Sequence, residues 1–185
     1  MAVKTSAEPA LLGKWIEASD RIVVVTHTHP DGDALGSSSA VRRYLQQKGK
    51  QNVAVVREEA PKTIAFIAEG DPLLQGEEAL RAIAAADLII CTDFNGLSRA
   101  GAYEEALRSS KARKVLIDHH LNPQLEEFDL IFSCCEVSSA CEMVYRILKA
   151  MPQGADFGGP VGECLMAGIN TDNNNFANPV FTGTL

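Results

Sequence analysis

No apolar run in the sequence approaches the roughly 18–20 residues needed to cross a bilayer, and the N-terminal residues lack the apolar stretch of a secretory signal. These two absences predict a cytoplasmic protein without membrane contacts. Cysteine is scarce and odd in number: Cys91, Cys134, Cys135, Cys141 and Cys164 stand among apolar neighbours with no C-x-x-C spacing. Neither a disulfide framework nor a zinc knuckle fits that pattern, and small buried thiols are the expectation. Positive charge is in deficit, with 17 Lys and Arg against 24 Asp and Glu and a net charge of −7. Such a chain is not built to hold long duplex nucleic acid on a basic surface. Phosphate substrates remain open to it, because a bound metal supplies positive charge that side chains lack. Internal repeats and low-complexity tracts are missing as well.

What is present is enough for one well-buried domain: 185 residues, 46% hydrophobic and 22% charged. Short β-branched runs alternate with stretches of helical periodicity. Residues 8–19 carry Leu11, Leu12, Trp15 and Ile16 at helical spacing, and the run Ile22–Val25 follows as a buried strand. A helix over Ala34–Lys48, stopped by Gly49, leads to strand 53–56 and completes a β-α-β unit with parallel strands. Pro61, Gly70, Pro72 and Gly76 break residues 61–76 into short pieces without a clear assignment. A helix near 77–85, strand 88–91, a loop over 94–101, a helix near 102–110 and strand 114–117 come next. A strand over 128–134, a helix opened by Ser139 and Glu142 as a capping box, and an apolar helix over 161–169 complete the series. Strand–helix alternation of this kind predicts an α/β domain, a mostly parallel sheet with helices on both faces.

The polar residues of interest follow the strands. Thr26-His27-Thr28-His29-Pro30-Asp31-Gly32-Asp33 follows the first strand, Thr92-Asp93 the third, Asp118-His119-His120 the fourth, and Thr171-Asp172 the last helix. Open parallel sheets bind ligands at the carboxyl ends of their strands. Singly, each Asp reads as a turn residue or helix cap, and each His as a structural hydrogen-bonding group. Together, His27, Asp31, Asp33, Asp93, His119 and Asp172 would bring two imidazoles and four carboxylates to one edge, where the carboxylates repel unless cations lie between them. Carboxylates with a minority of imidazoles suit Mn²⁺ or Mg²⁺ better than a thiolate-seeking zinc site, with zinc or cobalt as substitutes. Six ligands suit a pair of ions sharing one carboxylate, an arrangement that activates water and steadies the attacking and leaving oxygens of phosphoester hydrolysis.

Taken in order, Thr26-His27-x-x-Pro30-Asp31-x-Asp33-Ala34-x-Gly36-Ser37, Asp93 with Arg99-x-Gly101, Asp118-His119-His120, Ser138-Ser139-x-x-Glu142 and Gly168-x-x-Thr171-Asp172 resemble the motifs of the DHH phosphoesterases. Within that superfamily they look most like the bifunctional oligoribonuclease and 3′-phosphoadenosine 5′-phosphate (pAp) phosphatase group. The resemblance implies a Rossmann-like catalytic domain over 1–185. It implies one Mn²⁺ held by His27, Asp31 and Asp93, and a second held by Asp33, Asp93, His119 and Asp172, with Mg²⁺ or Co²⁺ as substitutes. It also implies that His120 contacts the scissile phosphate, that Asp118 steadies the histidine pair, and that Arg99 binds phosphate, for which a structural ion pair is the competing reading. His29 stands at a position the family does not fix.

Two departures from the family pattern stand out. Asn173-Asn174-Asn175-Phe176 replaces the usual Thr-Gly continuation after Asp172, and the glycine-rich, histidine-containing motif of a second, substrate-gripping domain is not found. Four ligand carboxylates only cancel two divalent cations, which leaves His120 and Arg99 as the few cations for an anionic substrate. The chain is therefore expected to bind Mn²⁺ while turning over pAp or dinucleotides poorly. The activity implied is release of 5′-mononucleotides from short oligoribonucleotides in the 3′–5′ sense, together with pAp dephosphorylation, in a chain open to homodimer formation. Competing readings are a pyrophosphatase or exopolyphosphatase on the same scaffold, a catalytically silent nucleotide-binding domain, and a purely structural α/β module.

Overall fold

In the computed structural model, which describes residues 9–152, 154–175 and 177, six strands form one sheet. They are β1 (Arg21–Val25), β2 (Asn52–Val56), β3 (Leu73–Leu74), β4 (Leu88–Thr92), β5 (Arg113–Asp118) and β6 (Leu130–Ser133), in the order β3-β2-β1-β4-β5-β6. Every neighbouring pair is parallel. Short runs of Val, Ile and Leu suit strands covered on both faces. Successive residues point to opposite layers: Ile22, Val24, Ile90 and Ile117 join one core cluster, and Val23, Val25, Ile89 and Cys91 the other.

The first layer is covered by α1 (Pro9–Ala18), α2 (Gly32–Gln47), α5 (Ala140–Ala150) and α6 (Pro160–Asp172), and the second by α3 (Gly76–Ala85) and α4 (Glu104–Ser109). The α/β expectation with helices on both faces therefore holds. So does the parallel β1-α2-β2 unit, whose helix ends before Gly49 in the left-handed region at φ 76°.

Differences from the sequence reading lie where the chain is punctuated. Residues 61–76 hold a 3-10 turn (Ala65–Ala68) and the two-residue strand β3, each too short to leave a periodic signal. The helix expected near 102–110 is two pieces. A 3-10 segment over Leu97–Tyr103, kinked within at Gly101 where φ is 60°, precedes α4. The strand expected over 128–134 is confined to Leu130–Ser133, and the last helix runs three residues beyond 169 to include Asp172 itself. Residue 8 of the predicted first helix and Phe176 of the terminal motif lie outside the described residues. The cysteines are unpaired; Cys91, Cys141 and Cys164 are buried as expected, whereas Cys134 is half-buried and Cys135 exposed.

Strand order reverses between β1 and β4. Sequential connections leave in opposite directions there, opening a crevice at the strands' carboxyl ends.

Candidate metal centre at the strand carboxyl ends

The loops bordering that crevice carry the residues singled out above. After β1, His27 is buried with its Nδ1 2.7 Å from the Thr28 carbonyl oxygen. A proton on Nδ1 makes that hydrogen bond and leaves Nε2 with its lone pair toward the carboxylates. Asp31 caps α2, its Oδ1 accepting the N–H groups of Asp33 and Ala34 at 3.0 Å each. Both readings of this residue apply at once, because the same carboxylate oxygen lies 3.9 Å from His27 Nε2.

Asp93 follows β4 at φ 64°, a left-handed conformation that is rare for a residue with a Cβ and concentrates at functional sites. The turn aims its two oxygens in different directions. Oδ2 lies 3.4 Å from His27 Nε2, and Oδ1 lies 3.6 Å from His119 Nε2. His119 Nε2 is in turn 3.7 Å from Asp33 Oδ2 and 3.8 Å from Asp172 Oδ2. Two triads result, His27–Asp31–Asp93 and Asp33–His119–Asp172, each with one donor atom per residue inside a 4.8 Å span. Asp93, His119 and His120 form a third such set between them. All six residues expected to converge do so.

Asp33 is held from a direction that sequence reasoning missed. Its oxygens accept the N–H groups of Ala140 (2.6 Å) and Cys141 (2.9 Å), the first residues of α5. Main-chain donors leave no residue signature, so only the predicted capping box hinted that a helix began nearby. That box is real in part. Ser139 Oγ accepts the Glu142 N–H at 3.0 Å, while the Glu142 carboxylate accepts from Ser138 N rather than from the cap residue itself.

The protonation pattern shows what the cluster lacks. Burial penalises charge on His119, yet Asp93, Asp33 and Asp172 outweigh it and push the ring up to about 9. Burial also opposes charge on His27, and Asp93 again wins and raises it. Asp33 is pushed well above the ordinary carboxylate range by burial and then by the Asp93 charge, and Asp172 is raised chiefly by burial. Burial works against the Asp93 anion too, but His119 and His27 keep it below its ordinary value. Protons thus neutralise a site whose donor atoms are hard oxygens and imidazole nitrogens, the set that divalent cations prefer.

Asp118 is fully buried, and it accepts from the His120 main-chain N–H (3.1 Å) and engages His120 Nδ1 (2.7 Å). That hydrogen bond raises the His120 pKa and leaves Nε2 of the half-exposed ring as its other nitrogen, a donor when the ring is charged. Arg99 lies on the 3-10 segment, where its carbonyl accepts the Thr28 N–H at 3.0 Å. Its exposed side chain has no ion-pair partner among the described residues. His29 points away from the cluster, 91% exposed beside Glu58.

Beside His119, His120 and Asp172 opens a pocket of about 620 Å³, lined also by Asn95, Leu121, Cys135, Ser138 and Asn173. None of these five residues had been singled out as part of the site apart from Ser138. Asn173 and its successors explain the departure from the family's terminal motif. Asn173 terminates α6 with its side chain donating to the Ile169 carbonyl oxygen, and Asn174 and Asn175 continue at φ 47° and 57°, which asparagine tolerates.

Known proteins show the same scaffold. The chain is 28% identical over 178 residues to the cyclic-di-AMP phosphodiesterase GdpP of Geobacillus thermodenitrificans, covering 89% of this chain and 26% of that protein. It is 27% identical over 158 residues to a probable manganese-dependent inorganic pyrophosphatase of Streptococcus mutans, covering 82% of this chain and 48% of the relative. The chain thus spans between a quarter and a half of these relatives. The crystal structure of an exopolyphosphatase-related protein from Bacteroides fragilis superposes with a TM-score of 0.84 at 32% identity, over 95% of this chain and 53% of the other. A sequence model of the DHH family, N-terminal domain, matches residues 21–169, and the chain belongs to that family.

Proposed function

We propose that this domain is a phosphoesterase that works with two divalent cations, Mn²⁺ in the first place with Mg²⁺ or Co²⁺ as substitutes. One observation carries the reading: the Asp93 carboxylate offers one oxygen to each of two His/Asp triads. His27, Asp31 and Asp93 would hold one ion, and Asp33, Asp93, His119 and Asp172 the other. Two ions so held supply Lewis-acid stabilisation to the oxygens entering and leaving a phosphoryl centre. Around them the chain's own residues act. Asp118 holds a proton on His120 Nδ1, so that Nε2 of the charged ring donates to a phosphate oxygen. Arg99 offers a guanidinium matched to phosphate geometry.

For substrates we favour small nucleotide esters, namely short oligoribonucleotides and pAp. The pocket next to His120 is lined by Asn95 and Asn173, whose amide nitrogens donate to the carbonyl oxygens of Leu121 and Ile169, and by apolar surface at Leu121, and none of its lining residues is Lys or Arg. A nucleoside finds polar groups and an apolar wall there, whereas a second phosphate placed in the pocket would lack a counter-charge, so the 5′-phosphate of pAp would lie outside it. Cleavage of pyrophosphate is the second reading, favoured by the pyrophosphatase relative. Parallel assays of pAp, a diribonucleotide, cyclic-di-AMP and pyrophosphate with Mn²⁺ separate the two. Hydrolysis of the nucleoside-bearing esters at rates above that of pyrophosphate is expected. Hydrolysis of pyrophosphate alone would replace the nucleotide reading with the second.

A further inference from the structure

At the opposite end of α2 from the metal centre lies a second cavity, about 370 Å³, between α1 and the C-terminal ends of α2 and α5. We propose that it is a binding site for a small anion with an apolar body. Its floor is apolar, built by Ile16, Tyr44, Met151 and Pro152. Its charged lining is basic: Lys14, Lys48 and Lys50 against the single carboxylate of Glu17, in a chain whose net charge is −7. Lys48 Nζ stands 5.3 Å over the Tyr44 ring, and Lys50 Nζ is fixed by donating to the carbonyl oxygens of Glu17 (2.9 Å) and Ser19 (2.8 Å). Lys48 and Lys50 are thus held at the cavity by packing and by hydrogen bonds, and Lys14 lines it from α1.

Two further observations point to a ligand. The Tyr44 hydroxyl is buried, at 3% residue exposure, yet its acceptor is the Met151 thioether sulfur at 3.0 Å, a weak one where a buried phenol ordinarily finds oxygen. Gly13 sits in the middle of α1, where glycine weakens a helix relative to alanine. Nothing lies within 4 Å of where its Cβ would stand, and its backbone is not in the left-handed region, so neither close packing nor backbone geometry calls for glycine. Gly13 lines the cavity, and the place its Cβ would take is open space. Since α2 is 16 residues long, about 24 Å at 1.5 Å per residue, the site is distinct from the metal centre.

The probe is 8-anilinonaphthalene-1-sulfonate, an aromatic body with one fixed negative charge, titrated by fluorescence and calorimetry at a pH where the chain is fully folded. Saturable binding of one probe per chain is expected, weakened at least tenfold by Gly13→Leu, which fills the cavity, and severalfold by Lys14→Glu, which reverses one charge. Both variants should keep the wild-type circular dichroism. N-phenyl-1-naphthylamine, the same body without the charge, should bind more weakly than the sulfonate to wild type and equally well to wild type and Lys14→Glu. Competition by AMP or by octanoate then tells an aromatic phosphate from an aliphatic carboxylate. Absence of saturable binding, or binding indifferent to Gly13→Leu, would overturn the proposal whatever the metal centre does.

Discussion

Asp93 is the residue on which the centre turns, because its two oxygens face His27 and His119, one in each triad, and do so from a backbone conformation that costs energy to hold. Asp93→Ala should therefore abolish binding of both Mn²⁺ ions, while Asp31→Ala, which removes an exposed member of one triad, should leave about one ion bound. Metal content after dialysis measures the difference, and equal losses in the two variants would exclude a shared carboxylate. At this scale the sequence was highly legible. Side chains that end strands and carry lone pairs announce themselves, and His27, Asp31, Asp33, Asp93, His119 and Asp172 all come together. What stayed hidden was the support given by the main chain. The amides of Ala140 and Cys141 that hold Asp33 look like any others in a sequence, and Asn95 and Asn173 carry no motif at all.

Among the elements, the packing of α2 against α6 decides whether Asp172 meets His119. A Cβ on Gly36 would stand 2.7 Å from the Cys164 carbonyl oxygen, 2.8 Å from Cys141 Sγ and 2.9 Å from Gly168 Cα. Backbone cannot yield as a side-chain end does, so α6 must shift. Gly36→Ala is expected to cost about 1–3 kcal/mol of stability, as overpacking does, and to weaken Mn²⁺ binding as well, because Asp172 rides on the displaced helix. Gly13→Ala, also helical but with open space around it, should raise stability by about 0.5–1 kcal/mol and leave Mn²⁺ binding intact. Thermal melts with and without Mn²⁺ check the pair; equal behaviour of the two variants would contradict it. Strand–helix alternation was readable because β-branched runs and helical periodicity persist over several residues. β3 and the 3-10 segments were not, since two to seven residues broken by Pro and Gly hold no full period. The close approach of two helices at Gly36 and Gly168 was equally invisible, since it arises only when distant segments meet.

Over the whole molecule, the raised pKa values of His119, His27, Asp33 and Asp172 mean that the folded metal-free chain binds more protons than the unfolded one. The contribution of His119 is fully present below its unfolded value near 6.5 and is lost as pH rises through about 9. Asp33 and Asp172, also raised, act in the same sense as their protons leave. Stability without metal should therefore fall between pH 6.5 and 9, and the rise in melting temperature given by Mn²⁺ should grow across that window, because metal replaces the departing protons. A metal-free chain that gains stability over the same range would rule out protons held in the cluster.

The most direct test of two cations in one crevice is anomalous diffraction at the manganese edge from crystals grown with Mn²⁺. Two peaks are expected, about 3.5–4 Å apart, one among His27, Asp31 and Asp93 and the other among Asp33, His119 and Asp172, with Asp93 between them. No peak there at saturating Mn²⁺, or peaks only elsewhere on the molecule, would contradict the two-metal centre.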